Sequence, residues 1–252
     1  MDSQDHYEDV VRRRSRTRFA SCGYQDRFDP FLLNKNPRLR RFYGDLFEDV
    51  LGPLPRGRML DVGAGTGIYF DALAPYAKEI EALDSSDDMV RAAARYCEAS
   101  GLGHIHPRVG LADALPYEPG SFDTVIALDT LHHVPDLGGV LAEVARVLKE
   151  GGYFLVFEPN ICNPLMFLAH ALPREERGAL GRNRPAVLRR NLETRFETMR
   201  WSGVSTMVTQ CGGFKGLVFD AYLKAWELTR LEKLYTRQVW LGRKRGPRCA
   251  SR

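Results

Sequence analysis

Short apolar runs alternate along this chain with longer stretches in which apolar residues recur at helical spacing, and that alternation predicts an α/β protein. Met59-Leu60-Asp61-Val62 reads as a strand carrying an acid at its end. Glu79-Ile80-Glu81-Ala82-Leu83 reads as a second strand, closing on Asp84. Ser85 and Ser86 then supply an N-cap, Asp87 and Asp88 suit a first helical turn, and the helix runs through Met89, Val90 and Ala94 to a stop at Gly101. A third strand precedes Asp113. A fourth, Phe122–Leu128, empties into Asp129-Thr130-Leu131-His132-His133-Val134-Pro135-Asp136, followed by a helix over 138–148 and a strand over 152–157. Upstream, Leu39–Leu51 has a helical stripe of Phe42, Tyr43, Leu46 and Phe47. Downstream, the pattern predicts a helix ending near Gly212-Gly213 and a sixth strand at Phe214–Phe219. An amphipathic helix bearing Leu223, Trp226, Leu231 and Leu234 follows, then a last strand Gln238-Val239-Trp240-Leu241. The chain thus divides into an arm (1–56), a ligand-binding half (57–158), an arginine-rich insertion after the fifth strand (159–203), a return to the sheet (204–243) and a basic tail (244–252).

The most specific chemistry lies at the first strand's exit. Gly63, Gly65 and Gly67 stand at alternate positions after Asp61, so the backbone can approach a ligand closely before the next helix begins. A dinucleotide fingerprint would place glycine at 68, where the chain has Ile68, and would give no role to a carboxylate at 61. Asp61 repels a pyrophosphate but suits an ammonium group. Asp84, twenty-one positions after Gly63, can accept both hydroxyls of a ribose, and Asp113 can accept from an adenine amino group. With Asp129, four acids sit at or just beyond strand ends, where an open α/β sheet binds its ligands.

These motifs together, Leu60-Asp61-Val62-Gly63-Ala64-Gly65-Thr66-Gly67, Ala82-Leu83-Asp84-Ser85-Ser86, Ala112-Asp113-Ala114, Phe122-Asp123-Thr124-Val125-Ile126-Ala127, Leu131-His132-His133-Val134 and Leu148-Lys149-Glu150-Gly151-Gly152, make the chain resemble a class I S-adenosylmethionine-dependent methyltransferase of the methyltransferase type 11 family. The resemblance is firm over residues 57–158. It implies a doubly wound, Rossmann-like, seven-stranded sheet, mostly parallel with a reversed last strand, in a methyltransferase domain over 57–243. It also implies S-adenosyl-L-methionine bound by Asp61, Gly63, Ala64, Gly65, Gly67, Asp84, Ser85, Met89, Asp113, Ala114 and Leu128. A sulfonium methyl moves by in-line displacement, so no metal is needed, and metal-ligand spacing is absent. Where the acceptor must lose a proton, His132 or His133 at the exit of strand four is the expected base, with structural packing as the other reading.

Composition adjusts this picture in few places. At 252 residues and 44% hydrophobic, the chain can bury one α/β core and leave tens of residues for a lid. A net charge of +4 is mild but uneven. Arg12, Arg13, Arg14, Arg16 and Arg18 crowd one end and Arg243, Lys244, Arg245, Arg248 and Arg252 the other. These read as solvated tails, with an anionic membrane surface or substrate as the alternative. Nucleic acid is disfavoured, because no aromatics are interleaved. Cys22, Cys97, Cys162, Cys211 and Cys249 form no C-x-x-C and read as reduced thiols, and no secretory signal is seen. The apolar run 164–173 is about half the length a bilayer requires. The expectation is a cytoplasmic protein, with peripheral membrane contact left open. Arginines of the insertion beside Leu165, Met166, Phe167 and Leu168 favour a small acceptor, apolar with an anionic end, such as a lipid, quinone precursor or secondary metabolite. Two other classes stay open: a methyltransferase on RNA or protein, and a non-catalytic S-adenosylmethionine-binding module. Against the first, strand four ends in Asp129-Thr130-Leu131-His132 rather than an N/D-P-P-Y/F motif.

Overall fold

A computed structural model describes residues 28–172, 179–182, 184–206 and 213–246. Helices α1 (Leu32–Lys35) and α2 (Pro37–Leu51) lead into strand β1 (Arg58–Val62). The chain continues through α3 (Phe70–Leu73), β2 (Glu79–Asp84), α4 (Asp87–Ser100), β3 (Ile105–Val109), β4 (Phe122–Leu128), α5 (Leu137–Val147) and β5 (Leu148–Pro159). It ends in α6 (Pro164–Ala171), α7 (Ala179–Arg182), α8 (Pro185–Leu192), β6 (Phe196–Val204), α9 (Gly213–Thr229) and β7 (Arg237–Lys244). The strands form one seven-stranded sheet in the order β3-β2-β1-β4-β5-β7-β6. β1 to β5 are parallel, and β7 runs antiparallel to both β5 and β6.

Period-two alternation splits the core into two layers. Met59, Ile80, Ile126, Leu155, Phe157 and Val239 face α2, α3 and α4, while Leu60, Val62, Val125, Phe154, Val156 and Trp240 face α5 and α8. The central strands therefore read as continuous apolar runs. Local signals set the helix ends. Asn36 caps α2 by accepting from Leu39 N at 3.1 Å, with Pro37 in the first turn, and Ser86 caps α4. α4 stops at Gly101, whose left-handed φ of 68° lets Leu102 N reach Cys97 O at 2.9 Å.

Two expectations fail on the far side of the sheet. The sixth strand is Phe196–Val204, inside the stretch read as an insertion, and Phe214–Phe219 belongs to α9. A six-residue apolar run does not by itself separate strand from helix, and Phe214, Leu217, Val218, Tyr222 and Ala225 recur at helical spacing. β6 was hidden because it is an edge strand. Only Phe196 is buried along it, and its polar side chains blunt the edge. It is held by a bulged antiparallel ladder to β7 and by Trp240, whose indole N–H donates to Thr198 Oγ1 at 3.0 Å. The helix expected to end near Gly212-Gly213 falls largely on residues outside those described, as do Arg12 to Arg18, the end of the basic tail, Cys22, Cys211 and Cys249. No helix among the described residues is long and apolar enough to cross a membrane.

Candidate functional site

A cavity of about 460 Å³ opens at the carboxyl ends of β1, β2 and β4. Of the residues expected to hold a cofactor, Asp61, Gly63, Ala64, Gly65, Asp84, Ser85, Met89, Asp113 and Leu128 line it. Gly67 and Ala114 do not. Gly67 packs instead: at φ 83°, a Cβ there would lie 2.6 Å from the Phe70 ring. Gly65 is the opposite case. Its φ of 56° favours glycine, and an added Cβ would meet nothing closer than Met89 Sδ at 3.8 Å, so it would project into open space beside the cavity.

The loop's N–H groups are spent on the neighbouring strand. Gly63 N and Ala64 N donate to Leu83 O at 2.7 and 3.0 Å, and Gly65 N donates to Asp84 Oδ2 at 2.8 Å. The loop therefore does not cradle a ligand with these donors, as a phosphate site would. Asp84 accepts a second backbone N–H, from Ser86 at 2.9 Å, and retains lone pairs on both oxygens. Burial pushes its pKa up while the N–H groups of Ser86, Gly65 and Ser85 pull it down.

Asp61 sits under this loop, 2% exposed, and its Oδ1 has no hydrogen-bond partner. Burial, and secondarily the Asp84 charge, push its pKa up to about 8. An orphaned buried carboxylate in a ligand cavity is a demand for a cation. S-adenosylmethionine meets that demand. Its ammonium suits Asp61, its ribose suits Asp84, and the spent loop donors cost it nothing.

The other wall is built from residues far apart in sequence. Glu158, at the end of β5 and fully buried, accepts from Thr130 N at 2.9 Å and Leu131 N at 2.6 Å through Oε1, and its Oε2 meets His132 Nδ1 at 2.6 Å. Glu158 thereby fixes the β4 exit loop and the His132 ring together. Burial raises its pKa, against the pull of the two N–H groups, His133 and Arg237. Because Oε1 accepts twice, any proton on this carboxyl lies on Oε2, shared with His132. His132, His133 and His170 all line the cavity, with ring centroids of His132 3.8 Å from His133 and 5.5 Å from His170.

Three residues of this wall, Tyr69, His170 and Arg237, went unread in the sequence, and Asp129 was read only as an acid at a strand end. Asp129 adopts a left-handed φ of 56° and is gripped by Tyr69 Oη at 3.2 Å and by the Arg237 guanidinium. Tyr69, Asp129, Arg237 and His170 all line the cavity. Two signals were available: a histidine inside the apolar run 164–173, and an arginine immediately before the last strand. Among the described residues, no insertion arginine lines the cavity. Arg189 pairs with Glu193 at 2.7 Å and Arg200 with Asp49 at 2.6 Å, and neither lines the cavity. Phe28 from the arm and Pro159, Met166 and Ala169 from the insertion complete the apolar lining.

Comparison with known proteins agrees with this geometry. Residues 60–156 match the family described as a methyltransferase domain. The ubiquinone biosynthesis O-methyltransferase of Thiobacillus denitrificans is 30% identical over 166 residues, 62% of this chain and 72% of that protein. The uncharacterized methyltransferase YcgJ of Bacillus subtilis is 36% identical over 101 residues, 40% of each chain. The crystal structure of YcgJ superposes with a TM-score of 0.57, 18% identity, and coverage of 82% of this chain and 100% of that one. The [4+2]-cyclase SpnF superposes with a TM-score of 0.59 at 23% identity, covering 81% of each. The chain thus belongs to the class I S-adenosylmethionine-dependent methyltransferases. Several relatives are matched over less than half their length, and SpnF shows the same fold under a different reaction name, so fold alone does not name the acceptor.

Proposed function

We propose that this protein transfers a methyl group from S-adenosyl-L-methionine to a small-molecule acceptor, apolar with an anionic end, of the kind represented by a lipid, quinone precursor or secondary metabolite. The observation that carries the cofactor half is Asp61: a buried carboxylate with an unpartnered oxygen, facing a cavity in which Asp84 still has acceptor capacity. Asp61, Gly63, Ala64, Gly65, Asp84, Ser85, Met89, Asp113 and Leu128 would hold the cofactor, which when bound supplies an activated methyl on sulfur. Gly67 and Ala114 support that site from outside the cavity lining.

His132 serves as the base. Its Nδ1 is committed to Glu158, so in the state with Glu158 ionised the proton sits on Nδ1 and the basic lone pair lies on Nε2. Taking the acceptor's proton at Nε2 makes an imidazolium that the buried Glu158 carboxylate stabilises at once. His133 and His170 shape the wall beside it. Phe28 of the arm and Met166 and Ala169 of the 159–203 segment would cover the acceptor. The relative named for ubiquinone biosynthesis supports an O-methyl acceptor of small size.

Calorimetry with S-adenosylhomocysteine tests the cofactor half, and metabolite profiling of cells with and without the protein, for pairs differing by one methyl, tests the acceptor half. Binding of NAD in preference to S-adenosylhomocysteine would sink the reading.

A further inference from the structure

Among the described residues, Arg237 is the single cationic Lys or Arg side chain in the cavity lining. Its position follows from topology. β7 is antiparallel to its neighbours, so its first residue rather than its last lies at the ligand edge, paired with Pro159 at the end of β5. The side chain is 10% exposed, and its Nη1 engages Asp129. Its Nε is buried without a hydrogen-bond partner. The guanidinium also lies over Phe157, 5.5 Å from the ring centroid, which fixes its plane.

One carboxylate does not use up this group. A guanidinium has five donors in a fixed fork, and a buried donor left unmade is costly. A buried ion pair contributes little net stability by itself, so holding the sheet together is a poor reason for the arrangement. The neighbours point to the missing partner. The lining that Arg237 shares includes the apolar Met166, Ala169 and Pro159, together with His132. Three lining acids, Asp61, Asp84 and Asp113, gather at the cofactor end, whereas the charge at the Arg237 end is a pair, Asp129 with a guanidinium that still has a donor to give.

We infer that Arg237 anchors a carboxylate carried by the methyl acceptor, so that the acceptor is an apolar or aromatic carboxylic acid bound with its acid group at Arg237 and its apolar body along Met166 and Ala169. This rests on the methyltransferase reading above and narrows its acceptor class. Asp129 is then a built-in competitor that holds the guanidinium in position.

Benzoate and its neutral isostere benzamide are the probes, titrated calorimetrically into the protein both unliganded and saturated with S-adenosylhomocysteine. The wild type should prefer benzoate by about 10-fold or more, the range a charge-assisted contact supplies. Asp129→Asn should widen the preference by freeing the guanidinium. Arg237→Gln leaves Asp129 as an unpaired buried charge and is at risk of misfolding. The double variant Arg237→Gln/Asp129→Asn replaces the pair by neutral isosteres and should fold, yet lose the preference. Affinity for S-adenosylhomocysteine should stay within about threefold throughout. Equal affinity for the two probes in the wild type, no binding of either, or a preference that survives in the double variant would overturn the inference. A large loss of S-adenosylhomocysteine affinity in the double variant would overturn it too, assigning Arg237 to the cofactor's own carboxylate. Should the wild type fail to bind S-adenosylhomocysteine at all, the methyltransferase reading falls, while the benzoate preference of the unliganded protein still decides the role of Arg237.

Discussion

The two sides of the cavity are built on different principles. On the proposed cofactor side, the groups that line the cavity come largely from short contiguous runs, 61–65 and 84–89, because each βα turn of a parallel sheet delivers its strand end and helix start to the same edge. On the acceptor side, the groups come from Tyr69, Asp129, His132, Glu158, His170 and Arg237, six positions joined only by hydrogen bonds and packing across β4, β5, β7 and α6. The first kind of site is a sequence motif. The second exists only after the chain has folded, and it can diverge while the motif stays, which suits a family with a common methyl donor and varied acceptors.

The largest expected effect tests the acceptor wall. His132→Asn should lower turnover by about 10²- to 10⁴-fold and remove the acidic limb of the rate profile, with S-adenosylhomocysteine affinity nearly unchanged. Glu158→Gln turns an amide donor toward His132 Nδ1, reversing the tautomer, and should cost about 10- to 100-fold in turnover. Steady-state kinetics against pH would check both. Normal rates and profiles in the two variants would reduce catalysis to alignment and make the dyad structural.

On the cofactor wall, Gly65→Val should weaken S-adenosylhomocysteine binding by about 100-fold or more. A β-branched residue at φ 56° is strained, and its side chain enters the cavity. Circular dichroism and calorimetry on the same sample would separate lost binding from lost fold. Asp84→Ala should cost about 10- to 150-fold in affinity, because it removes the ribose acceptor and also releases the N–H groups of Gly65 and Ser86. An effect confined to turnover would contradict the division between the two walls.

The smallest effect is on stability and carries a distinctive sign. With its folded pKa raised to about 8, Asp61 holds a proton in the folded, unliganded protein that the unfolded chain has already released. Its contribution to stability therefore falls as pH rises from about 4 to about 8. Asp61→Asn should raise unliganded stability on the order of 1–3 kcal/mol at pH 8, shrinking toward pH 4, while weakening the cofactor. Thermal melts at the two pH values would check it. A destabilised Asn variant at pH 8 would mean that Asp61 already has a partner without ligand.

Much of the fold could be read directly from the chain wherever period and punctuation agreed. The Ser86 cap, the Gly101 stop and strands β1, β2 and β4 lie where the pattern places them, because each depends on neighbours within a few residues. Cofactor chemistry was readable for the same reason. Asp61, Gly65 and Asp84 announce a cationic, ribose-bearing ligand by residue type and spacing alone. Beyond β5 local signals weaken. An edge strand needs no apolar alternation, a six-residue apolar run fits helix or strand, and only the ladder to β7 and the Trp240–Thr198 contact place β6 at Phe196–Val204.

What sequence alone determined about this protein, then, is the α/β class and the methyl-donor half of its site, because those reside in short-range backbone requirements. Tertiary structure decided which of two adjacent histidines is locked by a buried glutamate, that Glu158 is the residue locking it, and that Arg237 rather than any described insertion arginine lines the cavity. Such choices depend on burial and on the direction of β7 in the sheet. Neither is encoded by residues adjacent in the chain.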